Sequence, residues 1–554
     1  MDKQWWKERV VYQIYPRSFQ DSDGDGIGDI PGIISRLDTL KELGVGVIWL
    51  SPVYKSPDAD NGYDISDYRT IDPKFGTMAD MDKLLKQAAR RDIKIVMDLV
   101  INHTSDEHEW FQKSRDKDSP YRDYYIWQPP KRDGSPPNNW TSFFMGDAWE
   151  FDEKSGEYYL HLFDKKQPDL NYNNPKVIEE VADIMRFWLD KGVAGFRCDV
   201  INIIYKTSLA DGKRAIALQG MEHYKSQPGA HDILKKLRRD VLDYYDCFTV
   251  GESVMVDVDE AKLLCEPDRK ELDMLFYFDH LEVDRFIARY IPKPFRAKRL
   301  LDVLTKWQRG LSWNAVYLEN HDQPRIVSHY GNDGELWERS AKMLATMHLT
   351  LRGTPFIYQG QEIGMTNFDF SSFEQLKDVE SFNMEKLMRR LWIPAPLRWK
   401  WISISARDNS RTPMQWTGDD GAGFTTGEPW IGINGNHKRI NYESQQDDPG
   451  SVLQYYKDMI ALRASSDTLK YGDFEPLFTR GGAIAYARTL DDERYVTALN
   501  FSKMPARTPI TINGDVTVSN VGRDIYDGIL MPYEAVVLKQ KVHADQRGAR
   551  DDNV

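Results

Sequence analysis

The sequence predicts an α/β fold: a (β/α)8 TIM barrel with an irregular domain inserted after its third strand and an antiparallel β-sandwich at its C-terminal end. Three observations predict it. Eight short runs rich in β-branched and aromatic residues recur along the chain, most of them followed by segments of helical hydrophobic period. One interval between runs is far longer than a single loop and helix require. After about residue 473 the pattern changes to short strands separated by turn residues.

The eight runs are residues 10–16, 45–52, 93–100, 195–200, 247–252, 272–278, 313–321 and 353–359. Several lack the polar alternation of a half-wet strand, as expected where both faces of a parallel sheet are covered. Amphipathic segments at 34–43, 78–91, 177–191, 231–245, 298–308 and 339–351 supply the intervening helices. The stretch 104–173 is rich in Trp, Tyr, Pro, Asn and Asp, and is expected as a small domain leaning over one end of the barrel. The barrel then comprises residues 1–103 and 174–472. Strands at 483–488, 495–501 and 535–538 build a sandwich over 473–542, and residues 543–554 form a polar, frayed tail.

Composition narrows the partners. Of 554 residues 41% are hydrophobic and 29% charged, as in an ordinary globular protein. The 86 acidic residues exceed the 73 basic ones, giving a net charge of −13 that repels nucleic acid and anionic membranes and points to a small neutral ligand. The opening residues hold no apolar run of signal-peptide length, and no stretch of about 18 apolar residues occurs, so neither export nor anchoring is expected. Three cysteines, Cys198, Cys247 and Cys265, argue against a disulfide framework and for a reducing, cytoplasmic compartment. A monomer or weak homo-oligomer is expected.

In a barrel of this kind the active site is built where the strands end. The third run ends in Asp98, with Asn102 and His103 just beyond; the fourth ends in Arg197 and Asp199, the fifth in Glu252, and the seventh in His321 and Asp322. Charged groups rarely sit in buried strands without a partner or a task, and here they converge on one rim. Asp199, Glu252 and Asp322 with an arginine and two histidines, and no Cys/His metal cluster among them, suit cleavage of an acetal through an oxocarbenium-like transition state. Arg197 lies two residues before Asp199, on the same side of the strand, and can keep Asp199 ionised as a nucleophile. Glu252, held near that charge and partly desolvated, is expected to stay protonated as the acid. Asp322 is left to hold sugar hydroxyls.

The segments MDLVINHTSDEH, GFRCDVIN, FTVGES and YLENHDQP resemble, in order and barrel position, the four main motifs of the α-amylase family of glycoside hydrolases (family 13). QPDLN at 167–171 is similar to the additional motif of that family's oligo-1,6-glucosidase subfamily, and the resemblance runs from Trp5 to about Leu538. It implies Asp199 as nucleophile, Glu252 as acid/base and Asp322 as transition-state stabiliser. It further implies that Asp60, Tyr63, His103, Phe144, Arg197, His321 and Arg411 hold the terminal glucose of a short oligosaccharide, with Arg407 as the alternative register for Arg411.

The loop DSDGDGIGD alternates carboxylates with glycines as calcium loops do. Relatives of the family carry a structural Ca2+ or Mg2+ here, which implies side-chain ligands from Asp21, Asp23, Asp25 and Asp29 and a carbonyl from Ile27. Val200, directly after the nucleophile, is the residue type that accompanies α-1,6 preference in the subfamily and is expected to face the pocket where the leaving sugar begins. Isomaltose and isomalto-oligosaccharides are therefore the expected substrates of a retaining, exo-acting α-glucosidase. Trehalose-6-phosphate hydrolases share DVIN and are the nearest competing reading. Sucrose isomerases carry RLDRD where this chain reads EVDRF at 282–286, which disfavours isomerisation. Non-catalytic transporter subunits of the same fold lack the carboxylates retained here.

Overall fold

The computed structural model describes residues 3–215, 217–286 and 290–541; the tail expected at 543–554 lies outside the described residues. Eight parallel strands form the central sheet: β1 (Val10–Ile14), β2 (Val45–Leu50), β3 (Lys94–Leu99), β4 (Gly195–Cys198), β5 (Phe248–Glu252), β6 (Met274–Phe276), β7 (Ala315–Tyr317) and β8 (Thr354–Tyr358). Their order is β6-β5-β4-β3-β2-β1-β8-β7, and β6 lies against β7, so the sheet closes on itself. Each lies within one of the eight expected runs. Nearly every strand residue is buried, as a barrel with a filled interior and a helical outer layer requires.

The outer helices follow local signals. Met78–Arg90 begins at a capping box in which the Thr77 hydroxyl accepts from the Asp80 amide and the Asp80 carboxylate accepts from the Thr77 amide. Pro175–Asp190 starts with proline in its first turn and Asn174 as cap. The segment expected as one helix at 34–43 is two, Ile30–Ser35 and Leu37–Leu43, broken at Arg36. The helix Val258–Cys265 after β5 and the helix Val452–Ser465 after β8 complete the ring. Both were missed by periodicity, the first because it is only two turns long. Gly195, at the start of β4, has φ +143°, and any Cβ there would collide with the Phe248 carbonyl of β5.

Two excursions rise from the strand ends. Residues 104–173 carry a three-stranded antiparallel sheet of Trp127–Gln128, Glu157–Leu160 and Trp149–Asp152 in that spatial order. A helical hairpin, Val379–Arg390 and Ala395–Ser405, leaves the loop after β8. It fills the region 368–404, where periodicity gave no strong signal.

Beyond the barrel, β9 (Asp473–Arg480), β10 (Ala483–Leu490), β11 (Glu493–Asn500), β12 (Asp515–Ser519) and β13 (Ala535–Lys541) form an antiparallel sheet in the order β9-β10-β11-β13-β12. One face shares a core of Ala485, Val496 and Val536 with Leu530, from a two-stranded ribbon of Ala506–Arg507 and Ile529–Leu530, giving a small sandwich. The opposite face meets the helix Trp337–Thr350: Tyr486 hydrogen-bonds Thr350, and the buried Arg488 and Arg463 donate to carbonyls at that helix's C-terminal end. Cations there complement the helix dipole.

Candidate functional site

The register of the barrel strands assembles the charged centre. β3 and β4 pair Asp98 with Arg197, and β4 and β5 pair Arg197 with Val250. Arg197 is therefore flanked by acids from its neighbours and from its own strand end. Its Nη1 lies 2.6 Å from Asp98 Oδ1 and 2.5 Å from Asp199 Oδ1, and its Nη2 lies 2.6 Å from Glu252 Oε2. The Arg197 and Asp98 side chains are fully buried, while those of Asp199 and Glu252 are 9% and 12% exposed, so the buried pair backs two carboxyls that reach the surface of the site. One arginine thus holds two of the expected catalytic carboxyls side by side.

Environment separates the two carboxyls and Asp322. Burial pushes the Glu252 carboxyl up to about 7; the charges of Asp199 and Asp322 add to this, while Arg197 opposes it. Burial also raises Asp199, with Asp98 acting in the same direction and the direct Arg197 contact pulling it back. Asp322 is held well below the usual carboxylate range: His321, Arg407 and Arg411 together outweigh its burial. Its Oδ1 lies 2.8 Å from Arg411 Nη2 and 3.3 Å from Arg407 Nη1, and its Oδ2 lies 3.0 Å from His321 Nε2.

The rest of the expected pocket gathers around this core. The Tyr63 ring stacks on His321 at 5.3 Å, and its hydroxyl sits 2.7 Å from His321 Nε2; Gln13 holds the other ring nitrogen at 2.8 Å. His103 lies 3.1 Å from the Tyr63 carbonyl and is kept neutral by burial, its pKa down at about 4. Burial lifts Asp60 to about 7 against the pull of Arg407 and Arg411. Asp60 Oδ1, Tyr15 Oη, Arg197 Nε and Arg411 Nη1 are buried and have no hydrogen-bond partner among the described residues. Such a set of unsatisfied donors and acceptors is matched by a polyhydroxylated ligand. Phe144 faces the Arg407 guanidinium at 5.5 Å, and its carbonyl accepts from Asn383 of the helical hairpin at 2.9 Å.

Arg407 and Arg411 are not alternatives: both bond Asp322. Arg407 also reaches Asp378 at 2.6 Å and Asp60 at 3.6 Å, so it ties the hairpin to the pocket. Asp378, the N-cap of Val379–Arg390, was missed; an acid directly preceding a helical segment was the available signal. Gln167, read only as part of a motif, donates to Asp60 Oδ2 at 3.2 Å.

Val200 differs from expectation in what it presents. Its backbone is left-handed, φ 37° and ψ 41°, a costly conformation for a β-branched residue. Its amide N–H points to Glu252 Oε2 at 3.4 Å. The residue is only 7% exposed, and its side chain belongs to an apolar cluster with Trp140, Trp149, Leu162, Ile203 and Tyr224, against which Val254 packs.

The loop after β1 brings carboxylate oxygens of Asp21, Asp23 and Asp29 within 4.8 Å of one another. Asp25 lies outside that group; its Oδ1 accepts from the Ile27 amide, and burial together with the charges of Asp23, Asp21 and Asp29 raises its pKa. Converging hard oxygen donors with mutual repulsion fit a divalent cation such as Ca2+ or Mg2+. Gly26 is fixed here at φ +89°, where a Cβ would collide with the Glu428 carbonyl.

A closed barrel whose strand ends carry this arginine-bridged acid pair defines a glycoside-cleaving enzyme. The chain belongs to the α-amylase family of glycoside hydrolases: the family description "Alpha amylase, catalytic domain" matches residues 13–472. The oligo-1,6-glucosidase of Parageobacillus thermoglucosidasius is 51% identical over 559 residues, covering 97% of this chain and 99% of that one. Among solved structures, the trehalose-6-phosphate hydrolase of Bacillus licheniformis superposes with a TM-score of 0.92 at 42% identity, over 97% of this chain and 100% of the other. The isomaltulose synthase of Klebsiella sp. LX3 superposes with a TM-score of 0.94 at 42% identity, with the same coverage of both chains.

Proposed function

We propose that this enzyme is a retaining, exo-acting α-glucosidase that releases terminal α-linked glucose from short oligosaccharides, with α-1,6 links preferred. The observation that carries the mechanism is Arg197 gripping Asp199 and Glu252 at once. Two carboxyls bound to one guanidinium are close neighbours, and a close pair suits a double displacement, whereas an inverting pair is spaced to admit a water. Asp199 attacks the anomeric carbon while Glu252, protonated, gives its proton to the leaving oxygen; Glu252 then takes a proton from the water that breaks the glucosyl–Asp199 ester. Asp322, kept ionised by Arg411 and His321, faces the positive charge that develops on the ring.

Asp60, Tyr63, His103, Phe144, His321 and Arg411, joined by Arg407, wrap the terminal glucose and close its far side, which supports exo action. Val200 and the identity to oligo-1,6-glucosidases support the α-1,6 preference. Asp21, Asp23 and Asp29, with Asp25 and the Ile27 carbonyl, would hold a Ca2+ or Mg2+ that supplies structural stability only. The three unpaired cysteines support a cytoplasmic enzyme, acting as a monomer or weak homo-oligomer; no helix among the described residues is long and apolar enough to cross a membrane.

The test offers isomaltose, maltose, sucrose and trehalose 6-phosphate separately and follows the first-formed glucose anomer by NMR. The expected result is fastest cleavage of isomaltose, with α-glucose released first. β-Glucose would overturn retention, and faster turnover of trehalose 6-phosphate would transfer the specificity to the phosphorylated substrate.

A further inference from the structure

A buried cation that the mechanism does not use lies behind the pocket. Lys206, seven residues beyond Asp199, has its ammonium 2.6 Å from Asp169 Oδ2 and 2.9 Å from Asn102 Oδ1, with 2% and 0% of the Lys206 and Asp169 side chains exposed. Asn102 Nδ2 donates to Asp169 Oδ2 at 3.1 Å and lies 3.2 Å from His103 Nδ1. The cluster thus joins the end of β3, the loop after β4 and the inserted segment, where Asp169 bridges His103 in an isolated antiparallel pair.

Donor and acceptor chemistry orders this cluster, starting from its two charged members. An ammonium only donates, so the oxygen of the Asn102 amide must face Lys206; an ionised carboxylate only accepts, so the amide nitrogen must face Asp169. That nitrogen also meets His103 Nδ1, which must then be the bare, accepting nitrogen. The single ring proton is left on Nε2, which lies 3.1 Å from the Tyr63 carbonyl, an acceptor. Gln167 turns its NH2 edge toward the ring, its nitrogen 3.1 Å from Nε2, while its Oε1 accepts from the Asp164 amide at 3.0 Å; its two hydrogens are taken by Asp60 Oδ2 at 3.2 Å and the Tyr63 carbonyl at 3.4 Å, which leaves the proton on Nε2 compatible with it. Nε2 is therefore a donor on the edge of the ring turned toward Asp60 and Tyr63.

We propose that Lys206 is a positioning residue that, through the Asn102 amide, fixes the Nε2–H tautomer of His103, whose proton the Tyr63 carbonyl accepts at 3.1 Å in the free enzyme and a sugar hydroxyl would share when glucose is bound. The proposal rests on the reading of His103 as a glucose ligand; the tautomer itself does not. Replacing Lys206 by methionine leaves Asp169 buried without its cation, and its carboxyl then takes a proton. It becomes a donor, the Asn102 amide turns its oxygen inward, and that oxygen calls for a proton on His103 Nδ1. Lys206→Arg retains a donor-only cation and should keep the wild-type state.

The experiment uses full-length enzyme labelled with 15N-histidine, read by long-range 1H–15N correlation, with the His103 signals identified by their loss in His103→Gln. Wild type and Lys206→Arg are expected to show the Nε2–H pattern, and Lys206→Met the Nδ1–H pattern, with KM for isomaltose raised on the order of 10-fold and kcat changed much less. Because Lys206→Met weakens the fold, Asn102→Leu is measured beside it: it keeps the Lys206–Asp169 pair but removes the amide, and should give a mixture of both tautomers. An unaltered Nε2–H pattern in Asn102→Leu, or in a folded Lys206→Met, overturns the relay. A tautomer that switches with KM unchanged upholds the relay and overturns the role of His103 in binding glucose.

Discussion

Arg197 Nη2 lies 2.6 Å from Glu252 Oε2, yet the carboxyl it contacts is pushed up to about 7. Burial outweighs the ion pair, the charges of Asp199 and Asp322 add to it, and the same guanidinium is shared with Asp98 and Asp199. The arginine divides its field among three acids, and the one facing Asp199 keeps its proton. Substituting Asp199→Ala or Glu252→Gln should therefore lower hydrolysis by on the order of 10^3-fold or more with the fold intact, since each removes a covalent or proton-transfer role. Circular dichroism and turnover measured together decide it; near-normal turnover in either variant defeats the mechanism.

The raised Glu252 sets a pH dependence whose sign follows directly. As the acid it must be protonated, so kcat/KM should fall as pH rises through about 7. The same shift means that the folded chain binds a proton more tightly than the unfolded one. Stability contributed by that proton is then lost as pH rises from the unfolded value toward about 7. Glu252→Gln should flatten the fall in Tm across about pH 5 to 8. A rate profile level to about pH 9 would show that Glu252 is not the titrating acid.

How much of this was legible in the chain depended on what fixes each part. The barrel strands were readable because burial on both faces forces apolar runs, and the acids at their ends stood out as charges where none belong. The pairing of Arg197 with Glu252 was not readable, because it depends on the register of β4 against β5 and on the turn at Asp199. The joint action of Arg407 and Arg411 arises because Arg407, at the N-cap of the short helix Asp408–Arg411, and Arg411, at its end, both reach Asp322, and spacing alone offers them as competitors. The hairpin 379–405 was illegible for a plain reason: Ala395–Ser405 is apolar on no consistent face, with Trp399 and Trp401 packing locally against Phe373 and its neighbours.

The loop after β1 gives a prediction separable from catalysis. Asp21, Asp23 and Asp29 crowd together in the loop after β1, outside the group that Arg197 binds, so a divalent ion held there would stabilise only the folded state. Chelation should lower Tm while leaving the initial rate nearly unchanged, and Asp23→Asn should reduce the response to added Ca2+. Ligand distances of about 2.3–2.6 Å would identify Ca2+, and near about 2.1 Å Mg2+. No gain in Tm at saturating Ca2+ or Mg2+ would remove the ion from the account.

The last prediction concerns Val200, whose two contacts pull in different directions. Its strained backbone aims the amide at Glu252, a contact that any residue tolerating φ 37° would keep. Its side chain sits among Trp140, Trp149, Leu162, Ile203 and Tyr224, beside Val254, where the inserted segment meets the strand ends. An α-1,6 link places an extra methylene between the rings, and an apolar wall shaped by valine tolerates that path. Threonine keeps the shape and adds a hydroxyl, which must either find a partner on the leaving sugar or stay buried without one, at a cost of about 1–3 kcal/mol. Val200→Thr should therefore raise the maltose-to-isomaltose ratio of kcat/KM by on the order of 10-fold. Isomaltose cleavage should fall without vanishing, because Asp199 and Glu252 are untouched. If Tm drops and the ratio does not move, Val200 acts only as packing for the inserted segment, and the linkage preference lies in the surrounding loops.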